Sequence, residues 1–412
     1  MYRAVHADRS GRILVTDHPA LAFDGARYVP FADAMPLPAD AVVVPVEREG
    51  YASERSGRPR RLGAGHLAAA ALLPPGHLRT LLPAYADATG SPDLAPRPYA
   101  AVAATAEGEM VVAALQIDRD PTHDTSAFGK TEVAARVAAG LRARPGDRLV
   151  RQLARCAKEY GCHGAANAFF GRWECALPIA APSNERPPAA VLPKRDGEAT
   201  PTEAAVFHPT ADEIGLLAKE HVTRGGSLLA FGRACEGEPL LAAREVEEAV
   251  ARIRTETRDG TVHLETNGSA PAALRRLAAV GVESIGVRLM SARASVYEAL
   301  HGPVEYRFAD VRATIRLAAE LRLALAVEVL VHPGIFDRAD EIDALVAVLA
   351  EAREGTALLL RDLHADPLRA LALVPVGEPI GVSRAIARLR DELPHVRIGT
   401  FVRALAKVRH VP

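Results

Sequence analysis

The second half of the chain alternates between short apolar runs and stretches with helical periodicity. The apolar runs lie at 175–180, 228–231, 262–266, 284–289, 324–331 and 358–361. Apolar residues at helical spacing lie at 211–223, 243–257, 271–279, 310–321 and 339–351. Strands that are apolar almost throughout are typical of a parallel sheet covered by helices. The pattern therefore predicts an α/β fold built on a partial (β/α)6 barrel, with an open doubly wound sheet as the alternative.

The first part of the chain has a different pattern. Short apolar stretches at 41–46 and 110–115 predict strands, and a helix is predicted at 78–86. From residue 132 apolar residues recur at spacings near four, which predicts helices before the barrel begins. We therefore predict an N-terminal α+β region at 1–125, a helical connector at 126–172, the barrel at 173–375 and a C-terminal extension at 376–412.

Composition and charge exclude several classes of protein. Hydrophobic residues make up 49% of the 412 residues and charged residues 25%, which is an ordinary globular balance. The formal net charge of -1 gives no electrostatic case for binding nucleic acid or an anionic membrane. The apolar runs are too short to span a bilayer, the first residues (MYRAVHADRSGR) lack an apolar signal segment, and four cysteines are too few for a disulfide scaffold. We expect a cytoplasmic protein whose partner is a small molecule or another protein.

Polar residues follow four of the predicted strands. FGRACEGEPLL (231–241) follows the second strand, and its glutamates and backbone carbonyls are suited to a cationic amine. ETNGS (265–269) follows the third strand and offers short hydrogen-bonding side chains. VRLMSAR (287–293) ends the fourth strand, and LLLRDLHADP (358–367) places Arg361 and His364 after the sixth. Ligands of parallel barrels bind at this edge, although each segment taken alone is also typical of a turn, a helix cap or a structural ion pair.

Two further segments do not match the motifs that they resemble. DTSAFGKT (124–131) imitates a phosphate-binding loop, but Asp124 stands where the first glycine is needed. Cys156 and Cys162 have no second pair downstream, which is poor spacing for zinc. We therefore predict neither a phosphate-binding loop nor a zinc site in these segments.

Several segments together resemble radical SAM proteins. The runs YGCHGAANAFFGRWECALPIAAPSNERPPAA, FGRACEGEPLL, TNGS, VRLMSARASVYEALHGP, VLVHPGIFD and LLLRDLHADP follow the order of that family between about residues 78 and 366. The resemblance implies a partial (β/α)6 TIM-like barrel, in agreement with the strand pattern. CEGEP is similar to the family's Gly-Gly-Glu-Pro element, which holds the amino group of S-adenosylmethionine, with a glutamate in place of the first glycine. The cofactor-binding candidates that this implies are Glu236, Gly237, Glu238 and Pro239, with Thr266, Asn267 and Ser291 as further candidates.

The cluster loop departs from the family pattern. The family's CxxxCxxC motif after the first strand holds a [4Fe–4S] cluster through three thiolates, and S-adenosylmethionine chelates the fourth iron. Here Ser183, Pro187 and Ala190 stand in the three cysteine positions. Proline and alanine offer no ligand, and serine is a poor one for a cluster usually held by thiolates. We therefore predict that the cluster is absent, which removes the electron source for reductive cleavage of S-adenosylmethionine.

Four functions are compatible with these residues. The first is a cluster-less pseudoenzyme that binds S-adenosylmethionine or another small molecule, or that partners an active enzyme. The second is an active radical SAM enzyme with atypical cluster ligation. The third is a non-radical barrel enzyme that uses Glu238 and the candidate catalytic residues Arg361 and His364. The fourth is an interaction role for the N-terminal region.

Overall fold

The computed structural model describes residues 1–87, 91, 93–95, 97–124, 128–188, 204–233, 236–350, 352–375 and 377–406. Its N-terminal strands are β1 (Arg3–Ala7), β2 (Ile13–Pro19), β3 (Leu21–Phe23), β4 (Tyr28–Pro30), β5 (Ala34–Pro36), β6 (Val42–Glu49), β7 (Tyr51–Ser53), β8 (Pro59–Arg61), β9 (Leu67–Leu72), β10 (His77–Arg79), β11 (Leu82–Pro83), β12 (Tyr99–Ala104) and β13 (Met110–Gln116). An eight-stranded antiparallel sheet has the order β10-β13-β12-β1-β9-β6, with β2 beside β1 and β5 beside β13. The strands predicted at 41–46 and 110–115 are thus confirmed as β6 and β13.

The predicted helix at 78–86 is wrong. That stretch contains β10, which pairs with β13, and β11, which pairs with β3. Pro83 lies in the middle of the predicted helix and has no amide hydrogen to donate to the preceding turn. Apolar residues at helical spacing were therefore a misleading signal, because the backbone there is extended.

Three helices separate this region from the barrel. They are α1 (Lys130–Ala143), α2 (Arg148–Glu159) and α3 (His163–Phe170). The Asp147 carboxylate caps α2 by accepting the amide of Val150 at 2.9 Å. α3 ends at Gly171, whose φ of +61° is the left-handed conformation that glycine adopts without strain. α3 packs on the first barrel strand, and α2 packs on α3.

The barrel consists of parallel strands separated by helices. Its strands are β14 (Glu174–Ala176), β15 (Leu228–Phe231), β16 (Thr261–Thr266), β17 (Ser284–Met290), β18 (Ala324–Val331), β19 (Ala357–Asp362) and β20 (Arg397–Gly399). Its helices are α4 (Ala211–Thr223), α5 (Ala243–Glu256), α6 (Pro271–Val280), α7 (Ala294–His301), α8 (Phe308–Glu320), α9 (Ala339–Leu349), α10 (Pro367–Leu371) and α11 (Val382–Glu392). Short 3-10 helices lie at Pro121–His123 and Pro239–Ala242.

The order of the seven barrel strands confirms the predicted fold class. They pair side by side in chain order, and every pair is parallel. A doubly wound sheet would reverse its strand order at a switch point, and this sheet does not. β20 is one strand more than the six predicted, and it lies in the stretch predicted as a C-terminal extension. β14 is shorter than the predicted run at 175–180, because the chain leaves the sheet before Pro178 and Ala180, whose φ is +57°.

The barrel strands pack as a buried sheet, and the N-terminal region covers one part of its edge. Val262, Leu264 and Val287 are fully buried in the strand core. The fully buried Arg79 of β10 donates to the Leu363 carbonyl at 2.7 Å, just beyond β19. None of the helices in the described ranges is long and apolar enough to cross a membrane.

Candidate functional site

The loop after β14, residues 177–188, crosses the carboxyl edge of the barrel, and we call it the mouth loop. Near its start the Pro182 carbonyl accepts the amide of Glu238 at 2.7 Å. Further along, the Arg186 amide donates to the Gly302 carbonyl at 2.8 Å. The mouth loop is therefore bound both to the segment after β15 and to the segment after α7. It lies over the ends of β15 to β17, where the sequence predicts ligand binding.

The predicted cluster positions lie in this loop. The Glu185 amide donates to the Ser183 hydroxyl at 3.2 Å, so that hydroxyl caps a local turn. Pro187 is half-buried and has no ligand atom. Ala190 lies outside the described residues. Neither described position provides a thiolate.

The described cysteines do not replace the missing ligands. Cys175 is fully buried in β14, and burial raises the pKa of its thiol, so the thiolate is disfavoured. Cys156 lies in α2 and Cys162 directly precedes α3, so neither belongs to the mouth loop. Among the described residues no cluster of three or more His, Cys, Asp or Glu is arranged to hold a metal ion. These residues do not fit a [4Fe–4S] cluster, which is usually held by cysteine thiolates.

Glu185 of the mouth loop instead contacts three groups that follow or belong to neighbouring barrel elements. Its carboxylate lies 2.7 Å from Nδ1 of His301 and accepts the hydroxyl of Tyr306 at 3.2 Å. The Arg288 guanidinium lies 3.9 Å from the same carboxylate. Burial opposes ionisation, but the hydrogen bond from His301 and the charge of Arg288 outweigh it and lower the pKa of Glu185 to about 2. Sequence reasoning missed this residue, because a glutamate in a proline-rich loop is typical of a solvated surface.

Glu238 lies at the mouth as predicted, but its carboxylate bonds to the protein. It is 1% exposed and accepts the amides of Asn267 at 2.6 Å and Leu240 at 2.9 Å. The Thr266 hydroxyl donates to the same carboxylate. Burial raises the pKa of Glu238, against the charge of Arg288 and these hydrogen bonds. The carboxylate therefore ties the ends of β15 and β16 together.

Glu236, Gly237 and Pro239 also serve the local structure. The Glu236 carboxylate accepts the amide of Ile179 at 2.7 Å, and burial raises its pKa. A β-carbon on Gly237 would lie 2.0 Å from the Pro182 carbonyl oxygen, so only glycine permits this approach of the mouth loop. Pro239 is buried and begins a 3-10 turn. In this arrangement the mouth loop covers the segment.

The further predicted candidates separate into two places. Asn267 lies at the mouth, where its side-chain amide donates to the Asn184 side chain at 2.8 Å. Ser291 instead donates to the Glu341 carboxylate at 2.6 Å, together with Arg293 at 2.9 Å. The structure brings Thr266, Asn267 and Glu238 together, whereas Ser291 belongs to a separate cluster with Arg293 and with Glu341 of α9.

The predicted catalytic pair is not joined to Glu238. Nε of Arg361 donates to the Glu328 carboxylate on the neighbouring strand at 2.9 Å. His364 follows β19 and is exposed. Within the described residues, no hydrogen bond or ion pair connects Glu238, Arg361 and His364.

A buried charge network that the sequence did not indicate lies inside the barrel. Arg233, just after β15, binds the Glu174 carboxylate through two nitrogens at 2.5 and 2.7 Å. Its third nitrogen lies 2.8 Å from the Glu265 carboxylate. Burial opposes the charges, but Arg233 lowers the pKa of Glu265, and the two carboxylates raise the pKa of Arg233. A single arginine after a strand gave no pattern for predicting this pairing.

Comparison with known proteins shows that the fold of this chain is similar to folds that have been solved. No protein-family profile matches the chain, and no curated protein matches it. A radical SAM methyltransferase from Sphaerobacter thermophilus is 18% identical over 47% of this chain and 59% of its own, with a TM-score of 0.33. Methylornithine synthase is 12% identical over 66% of this chain and 75% of its own, with a TM-score of 0.40. The radical S-adenosylmethionine methyltransferase TsrM from Kitasatospora setae is 17% identical over 47% of this chain and 35% of its own, with a TM-score of 0.34.

The chain spans 59% of the length of the first of these structures. At identities of 12 to 18% the similarity concerns the fold alone. Radical SAM enzymes are among the solved folds that are similar to this chain, and they are the family that its sequence segments resemble.

Proposed function

We propose that this chain is a partial barrel of the radical SAM type that holds no [4Fe–4S] cluster and acts by binding a ligand. The observation that carries the proposal is the Glu185 carboxylate, which lies at the mouth between His301, Tyr306 and Arg288. A loop that offers no thiolate at its two described cluster positions is here closed by hydrogen bonds of its own. The loop stabilises a closed mouth rather than an iron site.

The proposal excludes the chemistry that a cluster would supply. A bound [4Fe–4S] cluster provides the electron for reductive cleavage of S-adenosylmethionine. The mouth loop has no thiolate at Ser183 or Pro187 with which to hold it. We therefore infer a pseudoenzyme at this edge of the barrel.

Iron analysis tests the proposal directly. After anaerobic incubation with iron and sulfide followed by desalting, we expect colourless protein with no more iron or sulfide than the triple variant Cys156→Ser, Cys162→Ser, Cys175→Ser. The variant is a matched control, because it removes the described thiols and leaves the mouth loop unchanged. About four irons per chain in the wild type would contradict the proposal, and loss of that iron in the variant would identify unusual ligands.

The ligand is a separate question, because the candidates for S-adenosylmethionine are engaged by the protein. Binding at this segment would require displacement of the mouth loop from Glu238 and Gly237. We expect no saturable heat in isothermal titration up to about 1 mM S-adenosylmethionine, which corresponds to a binding free energy weaker than about -4 kcal/mol. A micromolar dissociation constant would show that the mouth opens for this molecule.

A further inference from the structure

A cavity of about 290 Å³ lies on the β14 side of the barrel, beside the closed mouth. Leu153 of α2, Ala165 of α3 and Leu177 form part of its apolar wall. Trp173 and Phe401 add two aromatic rings, whose centroids lie 5.8 Å apart in an edge-to-face arrangement. Ligand pockets have volumes of about 300–1,000 Å³ and are lined mainly by apolar side chains. The volume and the lining therefore suit a small molecule with a ring-sized apolar body.

The charged groups that line this cavity are already paired. Glu174 and Arg233 form the bidentate ion pair described above, and Arg361 is bonded to Glu328. Glu236 is half-buried and accepts backbone amides. His163 also lines the cavity, and burial lowers the pKa of its imidazole, which favours the uncharged form. A ligand that carried its own charge would have no free counter-charge among these residues, and an unpaired buried charge is costly. The lining therefore favours an uncharged ligand.

Arg361 and Asn167 offer polar groups to such a ligand. Arg361 lines the cavity and bonds to Glu328 through Nε, and the terminal nitrogens of its guanidinium are further donors. The Asn167 side chain is 2% exposed, lines the cavity, and its Oδ1 is buried without a hydrogen-bond partner. A buried amide left unsatisfied is unfavourable, so it calls for a donor that the protein does not supply. An uncharged head group with an acceptor and a donor satisfies both residues: the acceptor receives a hydrogen bond from Arg361, and the donor gives one to Oδ1 of Asn167.

We propose that this cavity binds an uncharged molecule with a ring-sized apolar body and an amide-like head group. The inference deepens the proposed binding function and rests on it. It places that function beside the mouth, among residues that sequence reasoning did not bring together. Glu236 and Arg361, predicted for other roles, become part of the lining.

Trp173 provides the measurement, because it is the single tryptophan of the chain and lines the cavity. Titration of 3-phenylpropanamide should change the emission of Trp173 in a saturable manner. The matched acid, 3-phenylpropanoate, and the matched amine, 3-phenylpropylamine, should bind about tenfold or more weakly, because each adds an unpaired charge. No saturable change with any of the three compounds, or equal binding of acid and amide, would overturn the inference.

Variants separate this cavity from adventitious binding. Ala165→Leu adds volume at the wall and should abolish the fluorescence change, while Arg361→Gln should weaken it by removing donors. Arg244→Gln is the matched control, since Arg244 is an exposed arginine on α5 with a similar carboxylate partner. Undiminished binding in both cavity variants would contradict the assignment, and Arg361→Gln still decides if Ala165→Leu does not fold. The iron assay is independent, so failure here without iron leaves the cluster-less proposal standing.

Discussion

At the scale of single residues, one carboxylate joins several segments at the mouth. Glu185 is 14% exposed and contacts groups from three different segments, at Arg288, His301 and Tyr306. Neutral glutamine would keep part of the hydrogen bonding and lose the charge. Substitution of Glu185 therefore measures how much this charge contributes to the stability of the protein.

Glu185→Gln should lower the free energy of unfolding at pH 7 by about 1–2 kcal/mol, because Arg288 and His301 lose a partly buried anion. The folded-state pKa of Glu185, about 2, lies below its ordinary value of 4.5. The stabilisation is therefore complete above pH 4.5 and is lost as the pH falls toward 2. Urea unfolding of both proteins from pH 7 downward measures this difference.

The exposed Glu354→Gln, in the loop before β19, serves as control and should change the free energy of unfolding little. A wild-type advantage over Glu185→Gln that grows on acidification would contradict the assigned pairing.

At the scale of elements, the closed mouth depends on how α7 ends. Gly302 follows the last residue of the helix with a φ of +56°, a left-handed conformation. A β-carbon there would lie 2.1 Å from the Arg186 carbonyl oxygen. The end of α7 and the mouth loop can therefore approach each other this closely only if residue 302 is a glycine.

Gly302→Ala should release the mouth loop. Left-handed backbone alone costs a non-glycine residue about 1–2 kcal/mol, and the overlap with Arg186 adds to that cost. The Arg186 amide, which donates to Gly302, should exchange with deuterium faster in the variant. Hydrogen–deuterium exchange with mass spectrometry reports this amide.

Gly355→Ala is the matched control, because its φ is +86° and a β-carbon added there would meet no other atom within 4 Å. It should lose stability without faster exchange in the mouth loop. Equal exchange in both variants would mean that Gly302 does not hold the loop.

At the scale of the whole molecule, the N-terminal region is joined to the barrel by a buried ion pair. Arg79 is fully buried, and its Nε lies 3.7 Å from the Asp362 carboxylate, which is 8% exposed. Asp366 adds a second link by accepting the amide of Leu94 at 2.9 Å. Burial raises the pKa of Asp362 to about 6, against the charge of Arg79.

Arg79→Met and Asp362→Leu should each lower the free energy of unfolding by about 3–5 kcal/mol, because each leaves a buried charge without its partner. The double variant should lose less than either single variant. Arg79→Met should also be less destabilised at pH 5 than at pH 7, because Asp362 takes up a proton at the lower pH. Denaturant unfolding of the four proteins checks both statements, and additive losses would contradict the coupling.

The fold was predictable to a greater extent than the site. Strands β15 to β19 lie where continuous apolar runs predict them, and α4 covers the predicted range at 211–223. At the site, the sequence placed Glu238, Thr266 and Asn267 near one another correctly, because the ends of adjacent parallel strands meet at one edge. It did not show that the protein itself occupies their hydrogen-bonding groups.

The sequence by itself determined the alternation of strands and helices and the absence of cysteines at three loop positions. Along strands and helices, apolar residues recur every two to four positions, so a short stretch of sequence is enough to reveal the pattern. Only the tertiary structure decided that Glu185 meets His301, 116 positions away, and that α2 and α3 enclose a cavity beside β14. Such contacts depend on how the whole backbone closes around the core, and no local pattern of residues encodes that closure.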